Sequence, residues 1–336
     1  MVERTDSPDS KTSPNIVIIG QGAIGLLWYA NFYLNNVTAN NNNTGNNNKT
    51  SHLNISLLSS NDAFKTLRSF DYKSYDGTAN EIPLRHASTA HLSSADIILL
   101  CVKSYQVASA YQQYQLEQLT KATIVFCHNG LGALEDLHSK GLSKHRNIAA
   151  VALTHGAKIA KNQATLPSIT LTHTGEGFVD VGCLQGDFSQ PAQQVLTQAL
   201  SLSLTSTWRD DLTFRLWQKL AINCVINPLT AIHNINNGQV NSPQFYQQID
   251  VILLEFITIA KSQSFNFNFS ALKEVVIDVA NKTAQNCSSM RADVLAGKRT
   301  EIDYINGYLA RIAQEKDIDC RENEKLVAAV SAGKHL

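Results

Sequence analysis

Residues 15–34 read NIVIIGQGAIGLLWYANFYL. Asn15 to Ile19 is a short apolar run of the kind that forms a buried strand. Gly20-Gln21-Gly22-Ala23-Ile24-Gly25 follows, and Leu26 to Leu34 has the composition of a helix. Strand, G-x-G-x-x-G and helix in immediate succession form the dinucleotide-binding signature. The first glycine makes the tight turn. The second lets backbone approach a pyrophosphate, and the third lets helix and strand pack closely. The N-terminus of the helix then offers unpaired N–H groups and a partial positive charge to the phosphates. Gly20, Gln21, Gly22, Ala23, Ile24 and Gly25 are therefore the expected cofactor-binding loop.

Working outward, residues 1–13 are polar and read as a disordered tail. Residues 35–51, NNVTANNNNTGNNNKTS, form an Asn-rich insert that cannot bury apolar area and is expected to be a mobile loop. Asn54 to Leu58 is the second strand, where a cofactor's adenosine ribose would lie. An NAD enzyme usually places Asp or Glu there for the 2′-hydroxyl. Here stand Ser59, Ser60 and Asn61, with Lys65 and Arg68 shortly after, a pattern that admits a 2′-phosphate and favours NADP(H). Strands are expected at 96–103, 123–127, 149–154, 168–172, 178–181 and 205–208. Lys103 ends one of them and faces the cofactor crevice or solvent. His128-Asn129-Gly130-Leu131-Gly132 follows another, which puts Asn129 near a nicotinamide; His128 is either an acid or a structural loop residue.

After Asp210 strand patterns stop and helical runs follow, at 212–226, 243–263, 270–285, 300–313 and 322–331. The fold class is thus α/β, with an N-terminal Rossmann-type domain over 14–208 and an all-helical C-terminal domain over 209–336. The 336 residues are enough for two domains with substantial cores. Formal net charge is zero, which disfavours nucleic acid and anionic membrane as partners. No apolar run reaches the ~18 residues of a membrane span, and the N-terminus lacks an apolar signal core. The six cysteines lie far apart and read as buried free thiols of a cytoplasmic protein; no metal cluster is expected.

Chemistry concentrates in the helical half. Residues 216–231 read LWQKLAINCVINPLTA. On a helix, Lys219, Asn223 and Asn227 fall at i, i+4 and i+8, one polar stripe beside an apolar arc. Such a stripe faces either solvent or a pocket. Asn is a poor helix former, and two of them aligned with a single Lys suggest the pocket. A residue before proline is pushed away from helical geometry, so the helix is expected to kink or end at Asn227-Pro228. Later, Thr300-Glu301-Ile302-Asp303 has capping-box spacing with Asp in the last position. Glu301 either serves the helix dipole or points off the helix end as a functional carboxylate. A nicotinamide cofactor needs a hydride acceptor, commonly a carbonyl, whose developing alkoxide must be protonated and stabilised. No Y-x-x-x-K arrangement, metal cluster or His–Asp pair offers itself, so Lys219 is the best acid by elimination.

These motifs resemble the ketopantoate reductase (2-dehydropantoate 2-reductase) family. The matching segments are GQGAIGLLW at 20–28, VKSYQ at 102–106, HNGLG at 128–132, LWQKLAINCVINPLT at 216–230, SSM at 288–290 and TEIDYING at 300–307. They run in the family's order across nearly the whole chain from residue 15. The resemblance implies an NADPH-dependent reduction of ketopantoate to pantoate, with hydride passing from nicotinamide C4 to the 2-oxo carbon. It implies Lys219 as general acid and Glu301 as the carboxylate that pairs with substrate and Lys219. Asn223, Asn227 and Ser289 match substrate-binding positions, and Lys103 and Asn129 match positions lining the crevice. Two departures stand out: the Asn-rich insert, and Ser59-Ser60 where some members place an arginine. A reductase of another small 2-oxo acid, or a non-catalytic NADP(H) sensor, are the alternatives. The partner is a small 2-oxo acid, and the protein is expected to be a monomer or homodimer.

Overall fold

In a computed structural model, the described residues are 14–41, 53–142, 147–162 and 168–333. The expected tail at 1–13 and most of the Asn-rich insert fall outside them. The strands are β1 (Asn15–Ile19), β2 (Asn54–Leu58), β3 (Ser69–Lys73), β4 (Ala79–Pro83), β5 (Ile97–Leu100), β6 (Thr123–Phe126), β7 (Ile148–Leu153), β8 (Gly156–Asn162), β9 (Ser168–Gly175), β10 (Val179–Gln185) and β11 (Ser206–Trp208). Helices α1 (Ala23–Asn41), α2 (Asp62–Lys65), α3 (Thr89–Ser93), α4 (Val107–Gln113), α5 (Ala133–Ser139) and α6 (Gln190–Ser201) lie between them. Six more follow: α7 (Leu212–His233), α8 (Pro243–Ser262), α9 (Phe269–Lys282), α10 (Ser289–Leu295), α11 (Asn306–Lys316) and α12 (Arg321–Ser331).

The main sheet has the order β11-β10-β7-β6-β5-β1-β2, and its β2-β1-β5-β6-β7 portion is parallel. A parallel sheet is covered on both faces, so its strands read as continuous apolar runs. β1 shows this: Ile16 and Ile18 enter one core, while Val17 and Ile19 enter the core on the opposite face. From β1 the chain goes to β2 on one side and returns to β5 on the other. The crevice at a parallel sheet's carboxyl edge opens at such a switch point. The glycine loop leaves β1 there, and Lys103-Ser104 leave β5 there.

The helical region has its own core, built from Trp217, Leu220, Cys224, Val225, Phe256, Val276, Met290 and Leu309 among others. The sheet-plus-helix N-terminal part and the helical C-terminal part agree with the expected fold class.

Several local readings are corrected. A second sheet, β4-β3-β9-β8, had not been anticipated apart from β9. It joins β3 in parallel to β9, about a hundred residues later, so no local pattern announces it. Helix α1 runs through Asn35 to Asn41, where a loop was expected. Asn35 Nδ2 donates to Leu202 O at 2.7 Å, and Asn36 exchanges bonds with the Leu53 backbone, so tertiary contacts override weak helix propensity. α7 does not end at Asn227 but continues through Pro228 to His233, because Val225, Ile226, Leu229, Ala231 and Ile232 are all buried in the helical core. The helix expected over 300–313 is a 3₁₀ turn at Ile302–Tyr304 followed by α11. Thr300 does not cap it in box fashion; its hydroxyl accepts from Ile302 N at 3.3 Å. All six cysteines are free, but Cys287 is exposed and Cys183 half-buried.

Candidate active site

The glycine loop is shaped by close approach. Gly20 has φ +114°, and a Cβ there would stand 2.7 Å from Cys101 O. A Cβ on Gly25 would stand 2.1 Å from Gly20 O, so that position tolerates no side chain. Gly22 is different: its nearest obstacle is 3.9 Å away, and it is exposed, so what needs a glycine there is room for something outside the chain. α1 starts at Ala23 with no acidic residue in its first turn, leaving its positive end uncompensated. Gln21, Ala23 and Ile24 complete the loop. These residues fit a dinucleotide pyrophosphate.

From the loop the crevice can be followed residue by residue. Cys101 lies under Gly20 and against Gly25. Leu100 pairs with Phe126 in parallel register, which sets Cys101 beside Cys127. Cys127 raises the affinity of Lys219 for its proton, and so does Glu301. Yet burial, the largest effect, penalises the ammonium more, and the Lys219 pKa falls to about 8. Lys219 has no hydrogen-bond partner among the described residues; Asn223 is half-buried and Asn227 is 7% exposed, likewise with unengaged carboxamides. The stripe therefore presents donors to a crevice.

Glu301 is 4% exposed and comes from the other side. Its Oε1 accepts from Ser104 N at 3.0 Å and Ser104 Oγ at 2.9 Å, and its Oε2 lies 3.4 Å from Lys103 Nζ. Burial would raise its pKa, but Lys103, the two Ser104 bonds and His128 outweigh this and hold it below the ordinary carboxylate value. Lys103 Nζ also donates to Asp293 Oδ2 at 2.6 Å; against the penalty of burial, the two carboxylates raise its pKa. Asp293, on α10, is the member of the cluster that sequence reasoning missed, and Ser104 is another. They meet their partners only across 190 and 197 residues of chain, respectively.

His128 sits between the charges. Its Nδ1 lies 3.2 Å from Asn129 O; since a carbonyl only accepts, Nδ1 carries the proton. Its Nε2 is buried without a partner. Burial lowers the His128 pKa, and Lys219 adds to this while Glu301 opposes it. The neighbouring Gly130, at φ +79°, packs on Tyr304, where a Cβ would meet Tyr304 O at 2.2 Å, and Leu131 N donates to Tyr304 O at 2.8 Å. The Asn129 loop is thus seated directly on the segment that carries Glu301.

The remaining candidates make no hydrogen bond to this cluster among the described residues, though Ser289 lies one turn before Asp293 on α10. Ser289 opens α10 and is exposed; it is Ser288, buried, that bonds inward, to Thr230 Oγ1 at 2.6 Å. At the ribose end, Ser59 is buried and its hydroxyl accepts from Asn61 N at 2.9 Å, whereas Ser60 is exposed. Lys65 is paired with Asp62 at 2.7 Å, and Arg68 is exposed with no ion pair among the described residues. Among the described residues there is no group of three or more His, Cys, Asp or Glu placed to hold a metal, and no helix long and apolar enough to cross a membrane.

Comparisons with known proteins bear on the family and the fold. Residues 16–186 match the family model "Ketopantoate reductase PanE/ApbA", and residues 211–334 match "Ketopantoate reductase PanE/ApbA C terminal". A 2-dehydropantoate 2-reductase of Vibrio cholerae is 33% identical over 315 residues, 93% of this chain and 95% of the relative. Among solved structures, a probable 2-dehydropantoate 2-reductase of Bacillus subtilis superimposes with a TM-score of 0.72 at 25% identity, covering 95% of this chain and all of that one. A D-mandelate dehydrogenase in complex with NADH and anilino(oxo)acetate shares the fold, with a TM-score of 0.76 at 18% identity, covering 95% and 98%. Two family models that together span the chain on both sides of β11, and full-length relatives, lead to one conclusion: the chain belongs to the ketopantoate reductase PanE/ApbA family.

Proposed function

We propose that this protein reduces ketopantoate (2-dehydropantoate) to pantoate with NADPH, the step that serves pantothenate and coenzyme A biosynthesis. The observation that carries the reading is a partly buried Lys219 that no side chain among the described residues engages, its pKa lowered to about 8 by burial, within electrostatic reach of Glu301, a buried carboxylate that Lys103 and Ser104 hold ionised. When bound, the reduced nicotinamide supplies a hydride to the 2-oxo carbon. Lys219 polarises the carbonyl and gives its proton to the oxygen as charge develops there; a pKa near the working pH suits a general acid. Glu301 keeps Lys219 charged and accepts from the substrate's hydroxyl. Asn223, Asn227 and Asn129 orient the substrate carboxylate by amide donation, and Ser289 closes the exposed rim. Lys103, anchored by Asp293, holds Glu301 in place.

For the cofactor, Ser60 and Arg68 are free to meet a 2′-phosphate, and Lys65 joins them by leaving Asp62. With no carboxylate at the end of β2, nothing repels that phosphate before Asp62. Steady-state kinetics with ketopantoate and a panel of other 2-oxo acids, each with NADPH and NADH, test the proposal. The expected result is a kcat/KM for ketopantoate at least tenfold above the others, and larger with NADPH. A different preferred 2-oxo acid would displace the substrate assignment, and cofactor binding without turnover of any 2-oxo acid would replace the reductase by a sensor.

A further inference from the structure

Pro228 sits inside α7 and has no N–H to give to the carbonyl four residues back, that of Cys224. Cys224 is fully buried, so the loss is not made good by water. The missing donor is supplied from elsewhere in the fold: Asn306 Nδ2 donates to Cys224 O at 2.9 Å. The second hydrogen of the same amide goes to Asn323 Oδ1, also at 2.9 Å. Asn323 Nδ2 in turn donates to Glu255 Oε2 at 2.7 Å, and Glu255 further accepts from the backbone N–H groups of Glu322 and Asn323. Both acceptors facing Asn306 can only accept, so the orientation of its amide is fixed. Its Oδ1 is then left buried without a donor. An orphaned buried acceptor is costly, and the arrangement keeps it.

The place where this bond lands matters. Cys224 follows Asn223 on the same helix, on the buried face beside the Lys219–Asn223–Asn227 stripe. Asn306 opens α11, five residues after Glu301, with the 3₁₀ turn between them. Resting on the reading of Lys219 and Glu301 given above, we propose that Asn306 is a positioning residue: its bond to the rung that Pro228 leaves open sets the distance between the Lys219–Asn223–Asn227 stripe and Glu301. A proline at 228 and an asparagine at 306 are two halves of one device. The first frees a carbonyl in the middle of the catalytic helix, and the second uses that carbonyl to hold the helix against the carboxylate segment.

The test separates positioning from mere satisfaction of a buried carbonyl. Asn306→Leu removes the donor. Adding Pro228→Ala returns an N–H to Cys224 O from within the helix. The proposal expects Asn306→Leu to lower thermal stability and the double variant to regain it. In both, kcat/KM for the 2-oxo acid falls at least tenfold, mostly through KM, while the NADPH Kd stays within twofold of wild type. Recovery of kcat/KM together with stability in the double variant would overturn it. If Asn306→Leu does not fold, the double variant alone decides. NMR titration of Lys219 with labelled lysine gives a readout that needs no substrate: about 8 in wild type, and displaced by half a unit or more in the double variant. An unchanged Lys219 titration defeats the positioning role; a wild-type protein that turns over no 2-oxo acid defeats only the functional reading.

Discussion

Ser104 and Glu301 are joined twice, by the Ser104 backbone N–H and hydroxyl, both donating to Glu301 Oε1 at 3.0 and 2.9 Å. One residue comes from the carboxyl end of β5 and the other from the helical region. The crevice is therefore pinned across its width by a buried, charge-assisted contact, which is among the stronger kinds of hydrogen bond. Ser104→Ala leaves one of the two bonds and is expected to lower kcat/KM about tenfold, in line with the ~1.5–3 kcal/mol attributed to a hydrogen bond to a charged group. Glu301→Gln removes the charge and is expected to cost about a hundredfold or more. Steady-state kinetics on the two variants check the order; equal activity in wild type and Glu301→Gln would remove Glu301 from the site.

The pH profile follows from Lys219. Its pKa of about 8 is below that of a free lysine, so the protonated form needed to donate is lost as pH rises through 8. The expected kcat/KM for reduction is flat through neutrality and falls about tenfold per unit above pH 8. Glu301, held below the usual carboxylate value, stays ionised throughout that range. A profile still flat at pH 10 would remove Lys219 as the acid.

The second and third glycines of the loop make separable predictions. Gly25→Ala forces a Cβ to 2.1 Å from Gly20 O and is expected to lose both stability and NADPH binding. Gly22→Ala has 3.9 Å of clearance and should fold as wild type, with NADPH affinity reduced at least tenfold because the methyl meets the cofactor. Calorimetry and fluorescence titration distinguish the two; unchanged affinity in Gly22→Ala would place the pyrophosphate elsewhere.

Cofactor choice is expected to rest on Arg68 more than on Lys65, because Lys65 must first leave Asp62. Arg68→Ala should narrow the NADPH-over-NADH ratio of kcat/KM by about tenfold, and Lys65→Ala by less, each charge–phosphate contact being worth on the order of 1 kcal/mol. No change in either ratio would leave the 2′-phosphate to Ser60.

What could be seen in the chain, and what could not, divides by range. The β1–glycine–α1 unit is contiguous, so its pattern declares itself, as does the Lys219–Asn223–Asn227 stripe, which needs only helical periodicity. Glu301 stood out by type, but its reading as a helix-end carboxylate missed that Ser104 and Lys103 are its partners. Asp293 carried no local signal, since an Asp in a short amphipathic helix is ordinary until Lys103 arrives from β5. Pro228 was read as a kink or an end because the local rule for the preceding residue is a bias; buried residues on either side carry α7 through it, and Asn306, far along the chain, donates to the carbonyl that Pro228 leaves open. Interactions between residues far apart in the chain decide these cases, and local pattern does not report them.

The most direct measurement of the account is single-turnover NADPH oxidation with ketopantoate in wild type and in Lys219→Ala, with the NADPH Kd of each determined in parallel. The account predicts rapid oxidation in wild type, a rate lowered by about a thousandfold or more in the variant, and NADPH affinities within twofold of each other. A Lys219→Ala protein that oxidises NADPH with ketopantoate at the wild-type rate would contradict it.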